Sequence, residues 1–385
     1  MKKNICVFIS NRANYSSIKC VLQKIRSNKK LNLQLILGSG AILDKYGAVS
    51  NLIKKDGFNC NFELNILVQG STPETMTKTA GLALIELSTI LKKIKPDIAI
   101  VVGDRYENMS FAIAAAYMNI KIIHTMGGEI SGTIDESIRH AITKFSHIHF
   151  TASKDAYKRV IKMGENPKNV FHVGCPRIDL VKQVLKKKNI NLDDIFEQGV
   201  GEKFDIDKPF LLMSQHPVTT EYKYANQQIL ETLRAINMID LPAIVLWPNP
   251  DAGSEEIARG IRRWRELGLA KKMHFFKNIE IENYIHLLNK TACLIGNSSS
   301  GIREGAFIGV PVVNIGTRQN KRLRGTNVID VNYNHKDIYR AIQKQIKIKK
   351  YKKEFIYGSG NASKKIVDIL IKKSSSVPVQ KEISY

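Results

Sequence analysis

Short apolar runs alternate with amphipathic segments along the first half of the chain. Residues 4–10, 33–37, 97–103, 120–126, 147–152 and 170–174 are apolar and often β-branched, which predicts strands. Between them, residues 17–27, 109–117, 136–145 and 155–163 repeat their apolar positions with helical spacing. Strands that are apolar throughout and separated by helices are typical of a parallel sheet covered on both faces.

The second half repeats this scheme. Strands are predicted at 210–214, 243–247, 273–276, 293–295 and 312–315, and helices at 226–237, 254–267, 281–289 and 301–308. A helical segment at 179–188 and a polar stretch at 199–203 separate the halves. We therefore predict an α/β protein of two doubly wound, Rossmann-like domains facing a central cleft. The expected divisions are 1–177, a connection at 178–205, 206–350, and 351–385, with a C-terminal helix that returns to the first domain and a tail.

Composition supports a folded protein and narrows its setting. The 385 residues are 43% hydrophobic, and no apolar run approaches the length of a membrane helix. The apolar stretch near the N-terminus is too short for a signal peptide. The five cysteines are scattered and lack metal-site spacing, so neither disulfides nor zinc are expected. We expect a cytoplasmic protein without a membrane partner.

The charge balance is strongly basic, with 59 Lys and Arg against 35 Asp and Glu. Much of the excess lies in lysine runs at 186–188 and 347–353, which are typical of solvated helix faces. Aromatic residues are not regularly interleaved with these cations, and no nucleic-acid recognition motif is present. We expect no nucleic-acid partner, whereas an anionic substrate is compatible with the charge.

Chemically reactive residues follow the predicted strands. The carboxyl ends of parallel strands form the usual ligand-binding edge of such a sheet, so these residues are expected to meet in the cleft. They are Arg12, Asp104, Arg105 and Glu129 in the first half, and His216, Asn249, Ser298 and Ser299 in the second.

Residues 296–304 form the strongest candidate for an anion site. A strand ends, small residues follow, and a helix begins, so free N–H groups and the helix dipole can bind phosphate. An ordinary serine N-cap is the alternative for Ser298 and Ser299. Glu304 lies one turn into the helix, where it can accept hydrogen bonds from a ribose. Arg318 can clamp phosphate oxygens, whereas solvent exposure is favoured for Arg322 and Arg324.

Three carboxylates and one histidine are candidates for acid–base chemistry. Asp104, Glu129 and Asp135 meeting at one cleft would raise one another's pKa values. Capping of a helix that starts near Glu136 is the alternative for Asp135. His216, in a hydroxyl-rich loop after a strand, is either structural or catalytic.

No cofactor or metal is expected. Gly38-Ser39-Gly40 lacks the third glycine of a dinucleotide fingerprint because position 43 is Leu, and there is no P-loop. His147 and His149 alternate along a strand without a third ligand nearby, so they are interpreted as core or edge residues.

Together these motifs resemble the hydrolysing UDP-N-acetylglucosamine 2-epimerases of bacterial sialic and legionaminic acid pathways and the epimerase domain of the bifunctional animal enzyme. The resemblance spans the chain from Arg12 to about Ile371. It rests on eight motifs in one order: Asn11-Arg12-Ala13-Asn14-Tyr15, Gly103-Asp104-Arg105, Gly127-Gly128-Glu129-Ile130-Ser131-Gly132-Thr133-Ile134-Asp135, Ser137-Ile138-Arg139-His140, His216-Pro217-Val218-Thr219-Thr220, Pro248-Asn249-Pro250-Asp251-Ala252-Gly253-Ser254, Gly296-Asn297-Ser298-Ser299 and Gly316-Thr317-Arg318-Gln319.

The resemblance implies a GT-B-like fold with UDP held mainly by the second domain. By position it implies acid–base roles for Asp104, Glu129 and Asp135, and a catalytic as well as a nucleotide-binding role for His216. The implied UDP contacts are Arg12, Ser16, Arg105, His216, Asn249, Ser298, Ser299, Glu304 and Arg318. Many members have Asp-Asp where this chain has Asp135-Glu136, and the first acid is retained.

The implied reaction eliminates UDP from a UDP-amino sugar to give 2-acetamidoglucal and then adds water with inversion at C2. Two substrates stay open, UDP-N-acetylglucosamine, giving N-acetylmannosamine, and UDP-2,4-diacetamido-2,4,6-trideoxy-glucose. Non-hydrolysing 2-epimerases share the fold but usually have Gly-Asp-Thr where this chain has Gly103-Asp104-Arg105. A GT-B glycosyltransferase and a non-enzymatic anion binder are the remaining alternatives. The relatives suggest a homodimer or homotetramer.

Overall fold

The first domain is built on a seven-stranded parallel sheet. The computed structural model describes residues 2–47, 49–187, 192–249 and 251–384. The strands of this sheet are β1 (Lys3–Ile9), β2 (Leu31–Gly38), β3 (Phe62–Leu64), β4 (Ile98–Val102), β5 (Lys121–Thr125), β6 (Ile148–Thr151) and β7 (Val170–His172). Their order is β3-β2-β1-β4-β5-β6-β7, and every pair is parallel.

Helices cover both faces of this sheet, because its strands are apolar on both sides. They are α1 (Arg12–Arg26), α2 (Val49–Lys55), α3 (Pro73–Ile94), α4 (Tyr106–Tyr117), α5 (Asp135–Phe145) and α6 (Lys154–Lys162). The next helix, α7 (Pro176–Lys186), connects the domains and buries Leu180, Val181 and Val184 in a core shared with the second domain. The side chain of Asn11 caps α1 by accepting a hydrogen bond from the Asn14 N–H. This cap starts the helix five residues earlier than predicted, so Arg12 lies in its first turn.

The second domain repeats the architecture. Its strands are β8 (Val200–Gly201), β9 (Leu211–Ser214), β10 (Ala243–Leu246), β11 (Met273–Phe276), β12 (Cys293–Gly296), β13 (Val312–Ile315) and β14 (Val328–Val331). The order is β14-β13-β12-β9-β10-β11-β8, with only β8 antiparallel among the described strands. Its helices are α8 (Ala225–Asn237), α9 (Ser254–Glu266), α10 (Ile281–Lys290), α11 (Ser299–Ile302), α12 (Glu304–Ile308) and α13 (His335–Ile348). The predicted α/β class with two doubly wound domains is confirmed.

The chain then returns to the first domain. Helix α14 (Ala362–Lys373) buries Ile366, Val367 and Leu370 in the same core as β1 and α1. Beyond it, the Val379 carbonyl accepts from His147 Nε2 at 2.8 Å, and Lys381 Nζ lies 2.6 Å from Glu165. The domain boundaries given above stay a prediction.

Several elements escape the sequence pattern. Helix α3 buries Thr79, Ala83 and Leu87 on one face, but its exposed Leu82 and Ile85 blur the amphipathic period. The short strands β3, β8 and β14 lie near or at sheet edges, where few residues are needed for pairing. The second lysine run was wrongly assigned to a helix face, because α13 ends at Ile348.

None of the helices that the described residues form is both long and apolar enough to cross a bilayer.

Candidate functional site

A polar cleft lies between the two domains, at the carboxyl ends of the central strands. It is lined from the first domain by the loops after β1, β4 and β5, and from the second by those after β9, β10, β12 and β13. Ten predicted site residues contribute to its wall: Arg12, Ser16, Asp104, Arg105, Asp135, His216, Asn249, Ser298, Ser299 and Arg318. The other two, Glu129 and Glu304, are buried behind it.

Asp104 follows β4 directly and leaves about a quarter of its side chain exposed, at 26%. Its Oδ2 accepts a hydrogen bond from Arg139 Nη2. Burial by itself would raise the pKa of Asp104, but the neighbouring arginines, above all Arg139, outweigh it and hold this pKa well below its ordinary value. Asp104 is therefore an ionised carboxylate at neutral pH.

Glu129 lies in the glycine-rich loop after β5 and is held by arginines of the second domain. Arg303 donates to its Oε2 at 2.6 Å, and the Nε of Arg322 lies 3.5 Å from the same oxygen. These charges outweigh burial, which alone would raise the pKa of Glu129, and lower it. The other oxygen, Oε1, makes no hydrogen bond with the described residues.

Asp135 is the one carboxylate of the three whose pKa is raised. Burial and then the negative charges of Asp104 and Asp251 raise the pKa of Asp135 to about 6. The expectation that three clustered acids raise one another's pKa values is thus wrong for Asp104 and Glu129, because arginines surround those two. The capping alternative is also wrong: α5 begins at Asp135 itself, after Ile134, and has no side-chain cap.

His216 is held as a neutral hydrogen-bond donor. The Asn297 side chain accepts from its backbone N–H at 2.7 Å and donates to its carbonyl at 2.8 Å. Its Nδ1 accepts from the Asn249 N–H at 3.2 Å, so in the neutral ring the proton lies on Nε2. Burial, followed by the charge of Arg318, lowers the pKa of His216 to about 3.

The second domain supplies the groups suited to an anion. Ser298 is the N-cap of α11, because its Oγ accepts a hydrogen bond from the Ser300 N–H at 3.4 Å. The same residue also lines the cleft. Arg318 also lines the cleft and donates to the Asn297 carbonyl at 3.2 Å. A helix start, a neutral N–H donor and a guanidinium face the same space, which suits a diphosphate.

Three predicted nucleotide contacts also join the domains. Arg12 donates to the Asn278 side chain, and Arg105 pairs with Asp251 as well as with Glu107 at 3.2 Å. Glu304 is paired with Arg177, whose Nε lies 2.6 Å from Oε1. These contacts connect the two domains beside the cleft.

Several functional candidates were missed or misjudged from the sequence. Arg322 was expected in solvent but is buried, because its guanidinium contacts Glu129 and the Ile130 carbonyl at 3.2 Å. Arg324 is mostly buried too, with its side chain 19% exposed. Five further residues at or near the cleft were not predicted, although all but Arg177 lie within or beside the sequence motifs: Arg139, Arg177, Asp251, Arg303 and Gln319.

The two strand histidines are buried, as expected. His149 Nε2 lies 3.0 Å from Glu165, and His147 Nδ1 accepts from the Ile122 N–H at 3.0 Å. Across the described ranges, no group of three His, Cys, Asp or Glu side chains is arranged to hold a metal ion.

Sequence comparison gives related proteins over nearly the whole length. The family model described as UDP-N-acetylglucosamine 2-epimerase matches residues 23–371. The UDP-N,N′-diacetylbacillosamine 2-epimerase (hydrolyzing) of Legionella pneumophila is 32% identical, covering 100% of this chain and 98% of that protein. The UDP-N-acetylglucosamine 2-epimerase of Neisseria meningitidis is 30% identical, covering 94% and 92%.

Solved structures agree on the fold. The UDP-GlcNAc 2-epimerase of Methanocaldococcus jannaschii, in complex with UDP-GlcNAc and UDP, superimposes with a TM-score of 0.80 at 19% identity, covering 97% of this chain and 100% of that one. The Neisseria meningitidis enzyme bound to UDP-GlcNAc gives 0.79 at 17%, covering 96% and 100%. The GT-B-like arrangement is therefore confirmed, and with a family match over most of its length the chain belongs to the UDP-N-acetylglucosamine 2-epimerase family.

Proposed function

We propose that the protein is a hydrolysing 2-epimerase that converts a UDP-2-acetamido sugar to UDP and a free sugar inverted at C2. One observation carries this proposal: Asp104, whose pKa is lowered, and Asp135, whose pKa is raised to about 6, line the same cleft, opposite the anion-binding groups of the second domain. Inversion at C2 needs a base on one face of the ring and an acid on the other, which this pair can supply.

The second domain holds the UDP. The N–H groups at the start of α11, the Arg318 guanidinium and the Nε2–H of His216 bind the diphosphate. Because His216 stays neutral, it stabilises the leaving group as a hydrogen-bond donor and does not protonate it. Glu304 is ion-paired with Arg177 through Oε1, and its Oε2, which accepts no hydrogen bond from the described residues, is the atom proposed for the ribose hydroxyls. Arg12, Ser16, Arg105, Asn249 and Ser299 complete the proposed contacts.

The first step is the elimination of UDP. The C2–H is not next to a carbonyl, so departure of UDP must lead and build positive charge at C1. The C1–O bond breaks with its electron pair on UDP, Asp104 takes the C2 proton, and the C1=C2 bond forms 2-acetamidoglucal. This assignment uses the ionised carboxylate that already faces the cleft.

The second step adds water to the glycal. Asp135 gives its proton to C2 from the opposite face while water attacks C1. Asp104 holds a proton after the first step, so Glu129 is the ionised carboxylate left to accept the proton that water releases; because Glu129 lies behind the cleft wall, groups that line the cleft must relay this proton. No redox cofactor or metal is needed for either step.

The hydrolysing outcome is supported by the sequence Gly103-Asp104-Arg105 and by relatives. The proteins from Legionella pneumophila and Campylobacter jejuni, 32% and 31% identical, are both named as hydrolyzing. Both also carry diacetylbacillosamine in their names, so we propose UDP-N,N′-diacetylbacillosamine, the 2,4-diacetamido-2,4,6-trideoxy sugar, as the preferred substrate. UDP-N-acetylglucosamine is the second candidate, supported by the Neisseria meningitidis relative.

The test is an NMR assay of both UDP-sugars in D2O. We expect UDP and a free manno-configured amino sugar carrying deuterium at C2, because the new C2–H comes from solvent. A product that is still UDP-linked would show a non-hydrolysing epimerase, and sugar transfer to an added acceptor would show a glycosyltransferase. The ratio of kcat/KM for the two sugars decides the substrate.

A role in nonulosonic acid synthesis, a homodimer or homotetramer, and a cytoplasmic location belong to the same proposal. The oligomeric state is tested by light scattering on the purified protein.

A further inference from the structure

Arg139 has the largest side chain among the fully buried residues in the described part of the molecule. A buried guanidinium is tolerated only when hydrogen bonds and opposite charge replace its hydration. It lies one turn after Asp135 on α5, so both residues lie on the same side of that helix. Its surroundings therefore bear directly on the acid–base groups.

The Arg139 guanidinium joins the loops that carry the other two carboxylates. Nη1 donates to the Glu129 carbonyl at 2.7 Å, and Nη2 donates to Asp104 Oδ2. Both nitrogens also lie 3.4 Å from Ser131 Oγ. One side chain therefore fixes Asp104 relative to the Glu129 loop and to α5.

We propose that Arg139 is a positioning residue of the reaction, which holds the Asp104 carboxylate in place for the substrate by tying it to the Glu129 loop. This inference rests on the proposed function. Arg139 contacts no substrate itself, because it does not line the cleft.

Other charges also act on Asp104 and limit the effect. Arg303 and Arg322 reach it from the second domain, and Asp135 and His124 reach it from α5 and β5. The two remaining arginines partly replace the lost charge, so Arg139→Gln should shift the titration of Asp104 without abolishing its ionisation at high pH.

The experiment compares the pH profile of kcat for Arg139→Gln, Arg139→Lys and the unaltered protein. For Arg139→Gln we expect an acidic limb displaced upward by about 1–2 pH units and kcat at pH 7 lowered by about 10²-fold, as for a mispositioned base. Arg139→Lys retains the charge but not the two-point contact, so its acidic limb should stay in place while kcat falls about tenfold. Calorimetric UDP affinity should be nearly unchanged in both.

Arg159→Gln is the matched control. Arg159 donates to the Gly128 carbonyl of the same loop at 2.6 Å and pairs with Asp155, but contacts none of the three carboxylates. It should leave the pH profile unchanged. If Arg139→Gln behaves like this control, or if Arg139→Lys has ordinary kcat or a displaced limb, the inference is wrong.

The outcomes separate this inference from the proposed function. Failure of the unaltered protein to release UDP from either UDP-sugar contradicts the function. Ordinary UDP release together with an undisplaced limb in Arg139→Gln contradicts only the role of Arg139. If Arg139→Gln shows no cooperative melting, the kcat and pH profile of Arg139→Lys decide the question.

Discussion

At the residue scale, the surroundings of the three carboxyl groups at the cleft give them different pKa values. Arg139 and the cross-domain Arg303 and Arg322 hold negative charge on Asp104 and Glu129. Asp135 has no such guanidinium partner among the described ion pairs and lies near two other acids, so its pKa moves the other way. Environment alone therefore moves the pKa values of these carboxyl groups in different directions.

Replacing Asp104 and replacing Glu129 should slow different steps of the reaction. Asp104→Asn removes the base of the elimination, so UDP release should fall about 10²–10⁴-fold. Glu129→Gln should lower free-sugar formation on a similar scale but let 2-acetamidoglucal accumulate. The measurement is product NMR beside calorimetric UDP binding, which should change little. Near-normal turnover in both variants would contradict the acid–base assignment.

The raised pKa of Asp135 should carry a stability penalty. A carboxyl that titrates near 3.8 when unfolded and about 6 when folded destabilises the fold as pH rises between these values. Asp135→Asn should remove a penalty of about 2–3 kcal/mol, so the variant should be more stable above pH 6 and little changed at pH 4. Urea unfolding at both pH values measures this, and equal gains at pH 4 and 8 would argue against titration of Asp135.

Activity should depend on the same group and in the same direction, because both folding and hydration favour protonated Asp135. The hydration step needs protonated Asp135, so kcat should decline as pH rises above about 6. A rate that keeps rising from pH 6 to 8 would rule Asp135 out as the proton donor.

Arg318 should act on UDP binding and not on the proton steps. Loss of a charge-assisted hydrogen bond in Arg318→Ala should weaken UDP binding by about 1.5–3 kcal/mol. Arg340→Ala, at an exposed position on α13, is the control and should bind UDP normally. Calorimetry compares the two, and equal UDP affinities would exclude a phosphate contact for Arg318.

At the element scale, the segment after α14 fastens the end of the chain to the first domain. Lys381 donates to the carbonyls of Thr143 and Lys144 and pairs with buried Glu165, which also binds His149. The contacts lie on α5, β6 and the loop after α6, on residues that do not line the cleft. This attachment should therefore matter for stability and not for catalysis.

Lys381→Met tests that separation. Removing one partner from the buried Glu165 network should lower the free energy of unfolding by about 1–3 kcal/mol, because Lys144 still compensates part of the charge. kcat should stay unchanged. Lys364→Met, which breaks an exposed pair with Asp368, should change stability by less than about 1 kcal/mol. Equal melting curves for both variants would show that the attachment contributes nothing.

At the scale of the whole molecule, ion pairs across the cleft join the two domains. Lys19 lies 2.6 Å from Glu282, and Arg177 and Glu129 form further pairs with second-domain residues. The formal net charge of +24 is otherwise distributed over many exposed lysines. A positive charge spread in this way attracts anions of many kinds and does not select a particular one.

Duplex DNA should therefore bind weakly and only at low salt. Nonspecific phosphate contacts release counterions, so affinity should fall steeply between 50 and 200 mM salt, by about 10³-fold or more if several phosphates are contacted. Fluorescence anisotropy with two unrelated duplexes measures this. Tight sequence-selective binding at physiological salt would contradict the expectation that the protein has no nucleic-acid partner.

Much of the architecture was predictable from local pattern. Apolar runs separated by amphipathic segments indicate parallel sheets, and the rule for strand ends named eight residues, of which seven line the cleft and Glu129 lies behind its wall. The edge strands and α3 were harder to predict from the sequence. The edge strands are too short to show a periodic pattern, and exposed Leu82 and Ile85 obscure the helical pattern of α3.

The sequence by itself determined that the residues following the central strands meet at one cleft, because strand and loop order depends on local spacing. Only the tertiary structure decided what each residue contacts. Glu129 and Arg303 are 174 positions apart, yet 2.6 Å separate their charged atoms. Charge interactions depend on distance and burial, which no local pattern contains, so the protonation of Asp104, Glu129 and Asp135 followed from packing alone.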